Sequence, residues 1–237
     1  MSGWYTIWSP MRKDALVTRR GGAVALGLLG ALLIGGVSQA FLWRWGLDGV
    51  WNVAGSQFMW VLLAFGVAWG WAEGRIEQGA AAGGVTGLAL IASYYGGQWV
   101  ADGRHSALAQ FSKTGGAEWT LAAIGGGAVI GLFGAFAGMH GRERPTLKAL
   151  GIAAPAVIVG VGPAVWLLVN GDYLSPSRLI PAAGVFALAG AAMLLYTVRT
   201  CGPIASLQAL AISVGIGTTA LAGLLWLQTQ GWLYLTF

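Results

Sequence analysis

The chain has 237 residues, a net charge of +5, 57% hydrophobic residues and only 9% charged ones. A soluble domain is nearer a quarter charged, so this composition excludes an ordinary water-soluble enzyme or binding module. The basic residues gather at the ends of apolar runs, where they set membrane topology, so the positive charge is not a nucleic-acid signal.

Residues 1–20 carry Arg12, Lys13, Arg19 and Arg20 against Asp14, and Trp4, Tyr5 and Trp8 precede them. Aromatic residues beside basic ones suit the headgroup layer, so this stretch is expected to lie at the membrane interface. Residues 21–237 read as one all-α domain, a polytopic transmembrane helical bundle of about seven spans. The first span covers 21–41. Its end at Ser38-Gln39-Ala40 has the look of a signal-peptide cleavage site. The run is long for a signal peptide, and the spans after it favour an uncleaved anchor.

The second span, 52–72, and the third, 79–101, flank a short charged turn with Glu73, Arg75 and Glu77. Glycines recur at four-residue spacing, at Gly66 and Gly70, then at Gly79, Gly83 and Gly87. That spacing stacks small residues on one helix face and lets a second backbone come close. Residues 52–102 are therefore expected to form a tight hairpin around which the other spans pack. The polar link 102–117 holds Asp102, Arg104, His105 and Lys113. The fourth span, 117–139, carries Gly127 and Gly131, again as helix-packing positions.

The fifth span, 149–169, contains Pro155, Gly160, Gly162 and Pro163. Proline removes a backbone donor and clashes with the preceding turn, so these residues predict a kink, hinge or helix break. The sixth span is 179–198. Arg199-Thr200-Cys201-Gly202-Pro203 predicts a very tight turn into the seventh span, 204–228. Nine of the 13 Lys and Arg fall at the N-terminus and on the even-numbered links of this arrangement. The positive-inside rule then puts the N-terminus in the cytoplasm and the C-terminus outside.

No catalytic signature stands out. The spans hold almost no ionisable side chains, which argues against a proton-coupled carrier. None of the three lysines, Lys13, Lys113 and Lys148, lies in a span, so a retinal Schiff base is excluded. The single cysteine, Cys201, rules out a disulfide framework and a cysteine metal cluster. His105 and His140 fall on opposite sides of the membrane and cannot share a metal. No cofactor and no metal site is expected.

A polar, uncharged constellation is more suggestive. Tyr94, Tyr95 and Gln98 lie near the outer end of the third span. Asn52 and Gln57 lie near the outer end of the second, which runs antiparallel to it, and Asp102 and Arg104 rim the same side. Aromatic walls with a few hydrogen-bonding groups suit a small molecule or a lipid headgroup, so these seven residues are the candidate ligand site. Tyrosine also gathers at the membrane interface in any such protein, which is the plainer explanation.

Asn52-Val53-Ala54-Gly55-Ser56, Trp60, Ala64-Phe65, Gly70, the glycine and alanine run from Gly79 to Gly84, and Tyr94-Tyr95 together resemble a family of bacterial multi-span membrane proteins of unknown function. The resemblance implies a multi-pass protein of the bacterial plasma (inner) membrane and transfers no activity. The expected function is non-enzymatic: binding or translocating a small neutral or amphipathic molecule through an outward-facing cavity. The alternatives are an accessory or assembly subunit of a membrane complex and, third, a membrane-embedded enzyme. The expected partners are the lipid bilayer, a small-molecule or lipid ligand, and a membrane-protein partner or second copy, with no nucleic acid.

Overall fold

The computed structural model describes residues 57–72, 75–102, 116–139, 144–170 and 176–229, with isolated positions at 22–33 and at 109, 111 and 112. Among the described residues the chain is all helical and contains no strand. Six helices follow one another: α1 Gln57–Ala72, α2 Ile76–Asp102, α3 Gly116–Ala137, α4 Pro145–Asn170, α5 Pro176–Cys201 and α6 Pro203–Thr229. As helices they overlap the stretches expected as the last six spans. Within the first expected span, Gly22, Ala25, Gly27, Leu29 and Gly30 have helical backbone, and Gly27 and Gly30 lie against Val67 and Leu63 of α1.

Three helices open on proline, at Pro145, Pro176 and Pro203. The first N–H of a helix has no intrahelical acceptor, so proline costs nothing there and its fixed φ starts the turn. α5 and α6 are joined by Gly202 alone, at φ 84°. Only glycine takes that conformation cheaply, and Pro203 then forces a new helix to begin. Gly202 N–H donates to the Val198 carbonyl at 3.1 Å, and Ser206 Oγ donates to the Gly202 carbonyl at 2.7 Å, closing both sides of the turn.

Among the described residues, three stretches are long and apolar enough to cross a membrane: Gly116–Ala137, Pro145–Pro163 and Ala183–Cys201. α2 has the length, 27 residues or about 40 Å at 1.5 Å per residue. It is not one of the three, because its six glycines, two tyrosines and Gln98 contribute little hydropathy.

Among the described helices, α4 packs against α1, α3, α5 and α6, α1 and α3 each pack against three others, and α2 packs against α1 and α3, so the α1–α2 hairpin expected at the centre shares that place with α3 and α4. The physical reason is the distribution of small residues. A Cβ added to Gly83 would fall on the Gly127 carbonyl, and one added to Gly127 would fall on that of Gly83. Gly79 stands in the same reciprocal relation to Gly131, and Gly87 faces Ala123. α3 also offers Gly134 to Ala68 of α1 and receives Gly151 of α4 between Phe133 and Ala137. Glycine thus lines more than one side of α3, and each side admits a neighbour. Gly66, by contrast, is exposed and has no neighbouring atom within 4 Å, so its four-residue spacing to half-buried Gly70 marks no close helix contact at Gly66.

The helix through Pro155 and Pro163 does not break. α4 runs continuously over 26 residues, with both prolines buried inside it. Its glycines serve close approach instead: Gly160 meets Gly190 of α5, and Gly162 receives the ring of Phe58 from α1. Phe58 also meets Phe186, the largest fully buried side chain, at 5.7 Å between centroids. α6 docks on α4 through Ala149, Ala153, Ala205 and Ala209.

Large apolar side chains sit outside and small ones inside. Val85, Leu88, Leu121, Leu188, Leu195, Ile204 and Leu207 are exposed, while much of the core is alanine and glycine. In water such a surface would aggregate. In lipid it is the expected arrangement, since small residues bring backbones together and large ones meet acyl chains.

Substituting Gly83→Ala is expected to lower the thermal midpoint in detergent, because backbone on both sides blocks the new methyl. The cost is about 1–3 kcal/mol or more. Gly66→Ala, which meets open space, is expected to leave the midpoint unchanged or raise it slightly through helix propensity.

Candidate functional site

The pairs Gly79–Gly131, Gly83–Gly127 and Gly87–Ala123 set an antiparallel register between α2 and α3. Continued by seven residues, this register puts Tyr94 level with Gly116, where α3 begins. Gln98 then stands one turn beyond the end of α3. The face of α2 that carries the glycines therefore runs on into Tyr94 and Gln98, with bulky side chains where the close partner ends.

Around this point the aromatic residues form a chain of edge contacts. Trp60 of α1 meets Tyr94 at 6.2 Å and 74°, Tyr94 meets Tyr95 at 5.2 Å and 85°, and Tyr95 meets Phe111 at 5.0 Å and 73°. These are favourable edge-to-face geometries. Phe111 also lies over Gly116, so one ring bridges the end of α2 and the start of α3.

The buried polar residues separate sharply. Thr86, Ser93, Thr197, Ser206 and Ser213 each donate their hydroxyl to a carbonyl of the preceding turn, at 2.7–3.0 Å. That is how hydroxyls are normally satisfied inside an apolar helix bundle. Gln98 is 3% exposed, and neither its amide oxygen nor its amide nitrogen has a hydrogen-bond partner among the described residues. Trp60 Nε1 is likewise buried without a partner among them. Gln78 Oε1, near the other end of α2, is the remaining case. An unsatisfied buried polar group costs about 1–3 kcal/mol, so two at one end of one helix pair require a physical reason.

Of the candidate ligand residues, Tyr94 and Tyr95 touch, and Gln98 stands one turn beyond Tyr94 on α2. Gln57 opens α1 and Asp102 closes α2, with their side chains outside the described residues. Asn52 and Arg104 lie outside the described residues altogether. Trp60 and Phe111 belong to the cluster although the sequence did not single them out as site residues. Trp60 had a signal, standing one helical turn from Gln57 on the strand of the hairpin that faces Tyr94. Phe111 lies in a polar link and had none. Among the described residues, no group of three or more His, Cys, Asp or Glu is placed to hold a metal.

Comparison with known proteins returns no matching family model, no matching curated protein and no matching solved structure. The resemblance carried by residues 52–102 gains no support from it.

Replacing Gln98 by leucine removes the unsatisfied amide while keeping volume. Gln98→Leu is expected to stabilise the ligand-free protein by about 1–3 kcal/mol, read as a raised midpoint in detergent. Gln98→Ala removes the packing as well and is expected to fall below Gln98→Leu.

Proposed function

We propose that this chain is a multi-pass integral membrane protein that binds or passes a small neutral or amphipathic molecule through an outward-facing cavity in the helix bundle. The observation that carries the reading is Gln98. A primary amide, nearly fully buried one turn along α2 from Tyr94 and without a partner among the described residues, is a standing cost to the folded protein. A ligand that hydrogen-bonds the amide offsets that cost on binding. Aromatic walls with a few convergent polar groups are the usual composition of a small-molecule site.

The seven-span arrangement, with N-terminus inside and C-terminus outside, belongs to the same reading. It rests on the basic residues at the N-terminus and even-numbered links and on the outward-facing apolar side chains. It puts Gln98 near the outer surface of a bacterial plasma membrane. A C-terminal alkaline phosphatase fusion is expected to be active in a bacterial host, and a fusion after Arg144 inactive. The reverse pattern would overturn the orientation.

Native mass spectrometry of the protein from mild detergent tests the function. The wild-type protein is expected to retain a small-molecule adduct that Gln98→Leu loses while staying folded. A stoichiometric protein partner in place of that adduct would favour an accessory subunit instead.

A further inference from the structure

We infer that the ligand presents a planar amide-like edge to Gln98, a hydrogen-bond donor beside an acceptor. The inference rests on the proposed ligand site and narrows its chemistry.

Gln98 offers two unpaired groups side by side in one plane, a donor at Nε2 and an acceptor at Oε1. A ligand with only acceptors would leave Oε1 buried and unpaired, and one with only donors would leave Nε2 so. A cis amide, lactam or imide edge satisfies both with two parallel bonds. Trp60 Nε1 is a donor only, and it too lacks a partner among the described residues. Trp60 and Tyr94 stand edge to face at 6.2 Å, which provides ring surface for a planar head.

The described side chains of the cluster, Trp60, Ser93, Tyr94, Tyr95, Gln98 and Phe111, carry no charge. A carboxylate head supplies acceptors only and would leave Oε1 buried and unpaired. The ligand class is therefore a planar amide, lactam or imide.

Three probes of equal shape separate the possibilities: benzamide (donor and acceptor), acetophenone (acceptor only) and benzoate (charged). Each is titrated against the purified full-length protein in detergent, with the thermal midpoint as readout. Benzamide is expected to raise the midpoint saturably. Acetophenone is expected to bind at least about tenfold more weakly, since it leaves Oε1 unpaired, and benzoate is expected to have no effect. Gln98→Leu is expected to lose the benzamide response while keeping a midpoint at or above the wild type, so the loss is not unfolding. Equal responses to benzamide and acetophenone, both lost in Gln98→Leu, would overturn the amide class and leave the ligand site standing. No response to any probe, with an adduct in native mass spectrometry that Gln98→Leu loses, would do the same. No response and no such adduct would overturn both.

Discussion

The bundle depends on the direct meeting of two backbones along α2 and α3. Gly79, Gly83 and Gly87 face Gly131, Gly127 and Ala123, and the space between them has no room for even a methyl group on the glycine side. In a membrane the hydrophobic effect does not drive helices together, because lipid is as apolar as leucine. Close packing and weak backbone contacts must do so instead. Reciprocal approach of glycine Cα to carbonyl is the geometry in which Cα–H···O contacts form. Each such contact is small, but glycine repeats them at every turn and loses almost no side-chain entropy in making them.

The same economy extends outward from α3. Gly134 admits Ala68, Gly151 enters between Phe133 and Ala137, and Gly160 meets Gly190. The α1–α3, α2–α3, α3–α4, α1–α4 and α4–α5 contacts each include a glycine, and α6 joins α4 through alanines. Bulk is then free to face outward. The exposed leucines, valines and isoleucines are not a defect of packing but the other half of it. Polar side chains inside follow one rule as well, with hydroxyls turned back onto their own helix.

Much of this could be read from the sequence, and the failures share a cause. The four-residue glycine spacing announced a packing face on α2, and the same spacing at Gly127 and Gly131 announced its partner. Spacing cannot say which faces meet, so Gly66 looked equivalent to Gly83 although it faces open space. The α1–α2 hairpin looked central because it is contiguous in sequence, whereas among the described helices α4 meets four others and α1 and α3 three each. Pro155 and Pro163 signalled a kink, hinge or break by local chemistry alone, whereas α4 runs unbroken through both, with both buried. At the site, Tyr94, Tyr95 and Gln98 were legible by residue type. The separation of Gln98 from the satisfied hydroxyls was not, because it depends on which groups find partners in space.

The glycine register and the polar cluster are one construction. Close packing of α2 on α3 requires small residues, and it stops where α3 starts at Gly116. Beyond that point α2 continues for more than two turns, to Asp102. A helix that outlasts its partner leaves its inner face to be covered by side chains rather than by backbone. Tyr94 and Gln98 occupy that extension, and Phe111 reaches over Gly116 from the link. A shift of the register by one glycine pair would move Tyr94 by a full turn against Gly116. The seam therefore sets the position of Gln98 relative to α3 without touching it. Rigidity at the glycine end is what allows an unsatisfied amide to be held in place at the other, since a looser bundle would relax until the amide found a partner of its own.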